Sequence, residues 1–508
     1  MKNNQFFKHI FVGALAVFAA SCSSDFLEVK PFGKTDTQTY YSTDKEVEYA
    51  LTAAYDLLHS DQIRGWSSAF FIKQLPADDT NCGGGGESDQ GQYQKLDDFK
   101  WEPENEAISA YYTINYYGIY RCNQLINNAK PETALRKRMI AEAKFLRAYF
   151  FLELTTAFGD VPLRLEAAKT LTEGMARTPR AKVYEQIVKD LQEAIVDLPN
   201  KNSYSVADRF RVSKQAAQAL LGKTYLFAKD YPKATLAFND VIATEGVQVG
   251  LHPDFSKITR IETEFGIESL LEAQFISENK NWGNANWDRN ADDNRHLQLT
   301  GPRGPFNGGT SGIRDGWGFN PPTMKLYNAF SPSDPRRAAT VITSAELAAN
   351  FGGSFDGTGW DTEGCIRTKY QTYFAETSDA NGNTPELNYS TNWRLLRYAD
   401  VLLMAAEAYQ KQGLDVEARF ELNKVRARAG MPAISAAGTA LFTAIVKERQ
   451  VELAYEGLRF WDLVRWDLAQ QELSALGFVK GKHELFPIPL NEINGNSEIG
   501  PENQNPNY

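Results

Sequence analysis

Apolar residues return every three or four positions along most of this chain, the spacing that turns one face of an α-helix toward a core. The pattern predicts a mainly α-helical protein. It fails in three stretches: Pro76 to Pro103, which carries Gly83 to Gly86; Ser277 to Pro322, rich in Gly, Asn, Asp and Trp; and, more loosely, Phe351 to Asn392. Irregular segments of this length are uncommon in compact domains unless they bind something or are disordered. Their tryptophans and tyrosines argue against disorder, because such rings are scarce in chains that cannot form a core.

The helical part repeats. Within Lys214 to Val241, Leu221, Gly222 and Tyr225 stand in the L-G-x-x-Y spacing, followed by Ala234 and Phe238 at the offsets of a tetratricopeptide unit. Small residues let two antiparallel helices approach, and Tyr225 and Phe238 fill the seam. Residues 399 to 429 repeat the pattern through Ala405, Ala406, Tyr409, Ala418 and Leu422. A third first helix runs from Met139 through Tyr149, and its partner, Val183 to Leu198, follows only after a linker from Ala157 to Arg180. Units of this kind cannot bury their faces alone, so a stack of pairs is expected.

The first 22 residues change the picture of where this body works. Lys2 and Lys8, an apolar run from Ile10 to Ala20, and Ala19, Ala20 and Ser21 ahead of Cys22 read as a secretory leader of the lipoprotein type, with residues 1–21 removed and Cys22 lipidated. The run is too short to span a bilayer, whereas several acyl chains at about 0.8 kcal/mol per CH₂ give a lasting anchor. Loss of Lys2 and Lys8 with the leader moves the formal charge from −10 to −12. An acidic body argues against nucleic acid and anionic polysaccharide, and leaves neutral sugars and peptides. Cys82, Cys122 and Cys365 form no CxxC pair, which excludes a zinc signature and leaves room for one disulfide, such as Cys82 with Cys122. With five histidines in the whole chain, metal and Ser-His chemistry are poorly supplied.

Several long motifs then coincide. Asn392 to Tyr409 (NWRLLRYADVLLMAAEAY), Leu422 to Gly430 (LNKVRARAG) and Val446 to Trp466 (VKERQVELAYEGLRFWDLVRW) resemble the signature of the SusD/RagB family of outer-membrane nutrient-binding lipoproteins. Glu142 to Leu163, Gly316 to Arg337 and the DFLEVKP segment after Cys22 resemble it too, in the family's order. The resemblance spans the mature chain as one domain, 22–508, with an N-terminal part at 22–260 and a C-terminal part at 261–508 that includes the 277–322 loop. It implies four tetratricopeptide-like pairs in a superhelix, with long irregular ligand-binding loops gathered on another face. It also implies a non-catalytic protein without a cofactor, anchored in the outer membrane at the cell surface. Such a protein captures oligosaccharides, or peptides in the RagB branch, and passes them to a SusC-type TonB-dependent transporter.

The residues themselves favour sugar. A neutral glycan offers apolar C–H faces and a rim of hydroxyls, so its binder needs flat rings flanked by polar side chains. Asn279 to His296 supplies Trp282 and Trp287 with Asn284, Asn286, Asp288 and Arg289 between or beside them. Thr300 to Phe306 adds Arg303 and Phe306, and the Gly-rich region adds Tyr93 near Asp78 and Asp79. The predicted ligand contacts are Asp78, Tyr93, Trp282, Asn286, Trp287 and Arg303. Gly83 to Gly86 lacks the strand, Lys and Ser/Thr of a phosphate loop and reads as flexible. Trp317 is expected to pack beneath the helix that follows the prolines of GWGFNPPT. The acids and arginines of Val446 to Trp466 suit helical ion pairs better than acid–base catalysis. Three other readings stay open: peptide capture, a helical glycoside hydrolase with carboxylates roughly 5 to 10 Å apart, and a scaffold that binds proteins on its concave face. Asp292 to Asn294 and Asp379 to Asn381 offer oxygen ligands for calcium without EF-hand spacing.

Overall fold

The helices predicted from the 3.6-residue pattern form four antiparallel pairs. They are α1 (Asp44–Gln62) with α2 (Glu106–Asn128), α3 (Ala134–Phe158) with α4 (Arg180–Asp197), α5 (Lys214–Phe227) with α6 (Tyr231–Ile242), and α7 (Tyr398–Lys411) with α8 (Asp415–Arg428). Local chemistry starts them. Side chains of Asn105, Thr133, Ser213 and Asp230 accept hydrogen bonds from the first free backbone N–H groups of α2, α3, α5 and α6. Successive pairs stack, α4 against α5 and α6 against α7, so each buries a face its own partner does not cover. The computed structural model describes residues 40–62, 69–166, 173–277, 280–283 and 293–508. The leader with Cys22, and Asn284, Asn286, Trp287, Asp288, Arg289 and Asp292 of the mid-chain loop, lie outside the described residues.

Close approach within the third pair rests on Gly222, where an added Cβ would stand 2.4 Å from the ring of the fully buried Phe238. Short strands bind the irregular regions to this body. Ser269–Ala273 pairs antiparallel with Trp393–Arg397, Phe306–Asn307 with Ser354–Phe355, and Val341–Thr343 with Cys365–Arg367. The stretch from Pro76 to Pro103 is not wholly irregular: Gly91–Asp97 is a helix whose Tyr93 and Leu96 point into the core. Arg295–Thr300 likewise forms a short, fully buried helix within the second stretch. Cys82, Cys122 and Cys365 are buried free thiols, so the optional disulfide does not form. Among the described residues no helix is long and apolar enough to cross a membrane, and no group of three or more His, Cys, Asp or Glu side chains is placed to hold a metal ion.

The C-terminal signature is an ion-pair network that includes a helical pair, Arg465 with Asp462 at 2.7 Å, and that runs mostly between elements. Arg397, at the end of its strand, donates to Glu268 at 2.6 Å, Glu452 at 2.7 Å and Glu456 at 2.8 Å. Arg336 reaches Glu448 and Glu452 at 2.6 and 2.9 Å, and Arg449 joins Asp400 to Asp462, each at 2.7 Å. Burial pushes the Glu452 carboxyl up, and the charges of Arg428, Arg397 and Arg336 outweigh it and hold Glu452 well below the usual range. A buried carboxylate tied to three arginines holds fixed geometry, and their charges oppose its taking up a proton.

Candidate ligand-binding site

The PADD segment, Pro76 to Asp79, is a staple. Asp78 accepts from Arg459 Nε at 2.8 Å and Nη2 at 2.9 Å, and from Lys325 Nζ at 2.7 Å. Burial raises its carboxyl, and these two cations outweigh burial and leave it below its ordinary range. Asp79 accepts from Gln450 Nε2 at 2.8 Å, while Thr323 Oγ1 donates to the Asp78 carbonyl at 2.9 Å. Asp78 is only 3% exposed. Asp78 therefore fastens the loop to the helices Met324–Ala329 and Arg459–Arg465, Asp79 adds Gly438–Glu452, and Asp78 is not open to a ligand, which corrects the sequence expectation.

From this staple the chain enters the glycine loop, which is pinned rather than flexible. The Gly84 N–H donates to the Gly318 carbonyl at 2.8 Å, and Gly83 pairs with Phe319 as an isolated bridge. Gly83 and Gly84 adopt φ of +66° and +91°, and a Cβ on Gly84 would lie 2.6 Å from the Phe319 ring, so both conformation and contact demand glycine. Tyr93 is the second correction. Its ring is fully buried, 4.4 Å from that of Phe71 and 6.3 Å from that of Phe319 by centroid, because its helix turns that face inward.

Arg303 and Trp282 do reach a common surface. Backbone pairing of Trp317 with Gln298, Gly318 with Gly301 and Phe319 with Leu299 lays residues 317–319 beside 298–301. That ladder holds Trp317 half-buried on the core, and Trp282 stacks on it with ring centroids 6.4 Å apart and planes 17° from parallel. Trp282 keeps 54% of its surface exposed, which is what a platform for a ligand ring requires. The sequence places Trp317 beneath the next helix, which begins at Met324 and is capped by Thr323; its indole packs partly buried on the main core and against Trp282. Arg303 Nη1 lies 3.4 Å from both the Trp317 carbonyl and Asp89 Oδ2, and Asp89 also accepts from the Gly85 N–H at 2.7 Å. The guanidinium thus joins the glycine loop to the tryptophan pair while half its surface faces solvent.

Three further candidates were not read from the sequence. Asp89 orients Arg303. Trp360, 44% exposed, lines a pocket of about 370 Å³ with Arg303, Gly84 and Phe319. Phe374, 65% exposed, has the Arg314 guanidinium 5.3 Å from its ring centroid. Trp360 stands in the third irregular stretch between Gly359 and Asp361, a glycine-flanked ring in a long loop, and that signal was available. The arrangement offers flat apolar faces beside fixed polar groups.

Comparisons with known proteins converge. Residues 268–508 match the SusD family, and residues 25–226 match the family described as starch-binding and associating with the outer membrane. SusD-like protein P2 of Formosa agariphila is 27% identical over 515 residues, 96% of this chain and 97% of that one. The solved structure of a laminarin binding SusD-like protein superposes with a TM-score of 0.83 at 31% identity, over 91% of this chain and 99% of its own. Surface glycan-binding protein A from Bacteroides thetaiotaomicron in complex with laminarihexaose superposes with a TM-score of 0.77 at 25% identity, over 90% and 98% of the two chains.

Proposed function

The chain belongs to the SusD family, and from that premise we propose that it is a surface lipoprotein that captures neutral oligosaccharides, of the laminarin type, and delivers them to a SusC-type TonB-dependent transporter. The observation that carries this reading is the Trp282–Trp317 stack, half-exposed beside Arg303. Rings stack on the C–H faces of pyranoses, and Arg303 and Asp89 supply a donor and an acceptor for hydroxyls at the platform edge. Trp287 and Asn286 are proposed to extend the same surface, and Cys22 to carry the anchor. Laminarin and laminarihexaose name the class because they are the ligands of the two similar structures described above. Capture is modest in strength, since each stacked ring contributes about 0.5 to 1.5 kcal/mol beyond area burial. A delivery protein needs that reversibility.

Calorimetry of residues 23–508 with laminarihexaose and with a peptide digest tests the reading. Wild-type protein is expected to bind the sugar, and Trp282→Ala to weaken binding about tenfold with an unchanged melting temperature, because more than half of the ring's surface is exposed rather than buried in the core. Heat from peptides with none from glycans overturns it, and a large fall in melting temperature for Trp282→Ala returns that ring to loop anchoring.

A further inference from the structure

A groove distant in sequence from the loop platform carries similar chemistry. It opens along α2, spans about 1560 Å³ including the solvent at its open mouth, and Trp282, Trp317, Arg303 and Asp89 are not among its described lining residues. Its floor is tyrosine. The rings of Tyr112 and Tyr116, one turn apart, have centroids 4.8 Å from each other. Tyr117 and Tyr120 continue the wall with 51% and 52% of their surface exposed. Single exposed rings are ordinary on a protein surface, but here two half-exposed rings, Tyr117 and Tyr120, stand on one concave wall beside the partly buried Tyr116 and the buried Tyr112, and together they mark a binding surface.

The rim is fixed by hydrogen bonds between separate segments. The Tyr116 hydroxyl donates to the Pro162 carbonyl at 2.8 Å, and Asn123 Nδ2 donates to the Arg164 carbonyl at 2.9 Å. Across the groove, Asn496 Nδ2 donates to Glu492 Oε1 at 2.7 Å and to the Met175 carbonyl at 3.0 Å. Walls ordered in advance reduce the entropy a ligand must overcome. Charge then selects the ligand. Among the described lining residues the carboxylates of Glu166, Glu173 and Glu492 face a single guanidinium, Arg164. That excess disfavours sulfated, phosphorylated and uronic sugars, whereas neutral hydroxyls donate to carboxylates in charge-assisted hydrogen bonds.

We propose that this groove is a second binding site for a neutral oligosaccharide, separate from the loop platform. The proposal rests on the glycan-binding reading above. Two sites on one chain hold a long polysaccharide more firmly than either alone, through effective concentration rather than new contacts.

The test is calorimetry of residues 23–508 with laminarihexaose, cellohexaose and maltohexaose, using wild type, Trp282→Ala, and the pair Tyr117→Ala with Tyr120→Ala. Both tyrosines are half-exposed, and a melting curve confirms folding of the double variant. Two sites per chain are expected, with Trp282→Ala weakening one about tenfold and the double tyrosine change removing the other. One site that the tyrosine changes leave intact overturns the groove and keeps the platform. Two sites that both survive those changes overturn it as well, and loss of transporter co-purification in that variant would assign the face to a protein partner. No heat from any of the three sugars in wild type overturns the groove together with the glycan reading on which it rests.

Discussion

Adjacent carboxylates at 78 and 79 meet opposite fates because of what faces them. Asp78 takes the charges of Arg459 and Lys325, while Asp79 accepts one neutral hydrogen bond from Gln450; burial and the neighbouring Asp78 charge push its carboxyl up to about 7. The unfolded chain titrates Asp79 near 3.8. The native state therefore binds this proton more tightly, and the stability it contributes is complete below pH 3.8 and lost as pH rises through about 7. Glu264, pushed up to about 7 chiefly by burial, acts in the same direction. Asp79→Asn is expected to raise the melting temperature at pH 8 and to flatten, without abolishing, its decline between pH 5 and 8. Identical slopes for wild type and variant in a pH series of thermal scans would contradict this. The sequence shows residue type and not depth at such positions. The arginine that neutralises Asp78 lies 381 positions away, and only the assembled fold shows that Tyr93 faces inward while Trp282 faces out.

Elements were far more legible, because their signal is local. The pairs at 214–241 and 399–429 and the split pair with its long linker all stand where periodicity and small residues put them. The short helix Gly91–Asp97 escaped notice because a seven-residue segment shows only two apolar positions of the helical period. The acids and arginines of the C-terminal signature read as pairs, but i,i+3 and i,i+4 spacing cannot distinguish a helical partner from one on another element. Gly222 allows a quantitative check on helix pairing. In an exposed helix interior Gly→Ala gains about 0.5 to 1 kcal/mol. Here the new Cβ meets the buried Phe238 ring at 2.4 Å, and overpacking of this kind costs about 1 to 3 kcal/mol. Gly222→Ala is therefore expected to destabilise the protein despite its better helix propensity, as read from urea unfolding midpoints; a stabilised variant would mean the α5–α6 seam is looser than described.

At the scale of the whole molecule, stacked helix pairs supply the rigid body and the irregular stretches are gathered by short strands onto surfaces that body leaves uncovered. The sequence located those stretches and the ring-bearing chemistry within them, but it could not rank the rings, since Trp317 is held by pairing of 317–319 with 298–301 and stacks on Trp282, while Trp360 comes beside Arg303 near the pairing of Phe306–Asn307 with Ser354–Phe355. The acidic balance, −10 over the whole chain, then bears on what such a surface can hold. Stacking and hydroxyl hydrogen bonds carry no net charge, and Arg303, the cation next to the tryptophan pair, already lies beside Asp89. Screening that shortens the Debye length from about 30 Å at 0.01 M salt to a few ångström near 1 M leaves such contacts almost untouched. Laminarihexaose affinity is therefore expected to stay within about twofold across that range of sodium chloride. A charged peptide held by the same acidic surface would lose affinity steeply over the same titration, so a tenfold fall would point to charge rather than ring faces as the basis of recognition and would remove the main physical support for neutral sugar as the cargo.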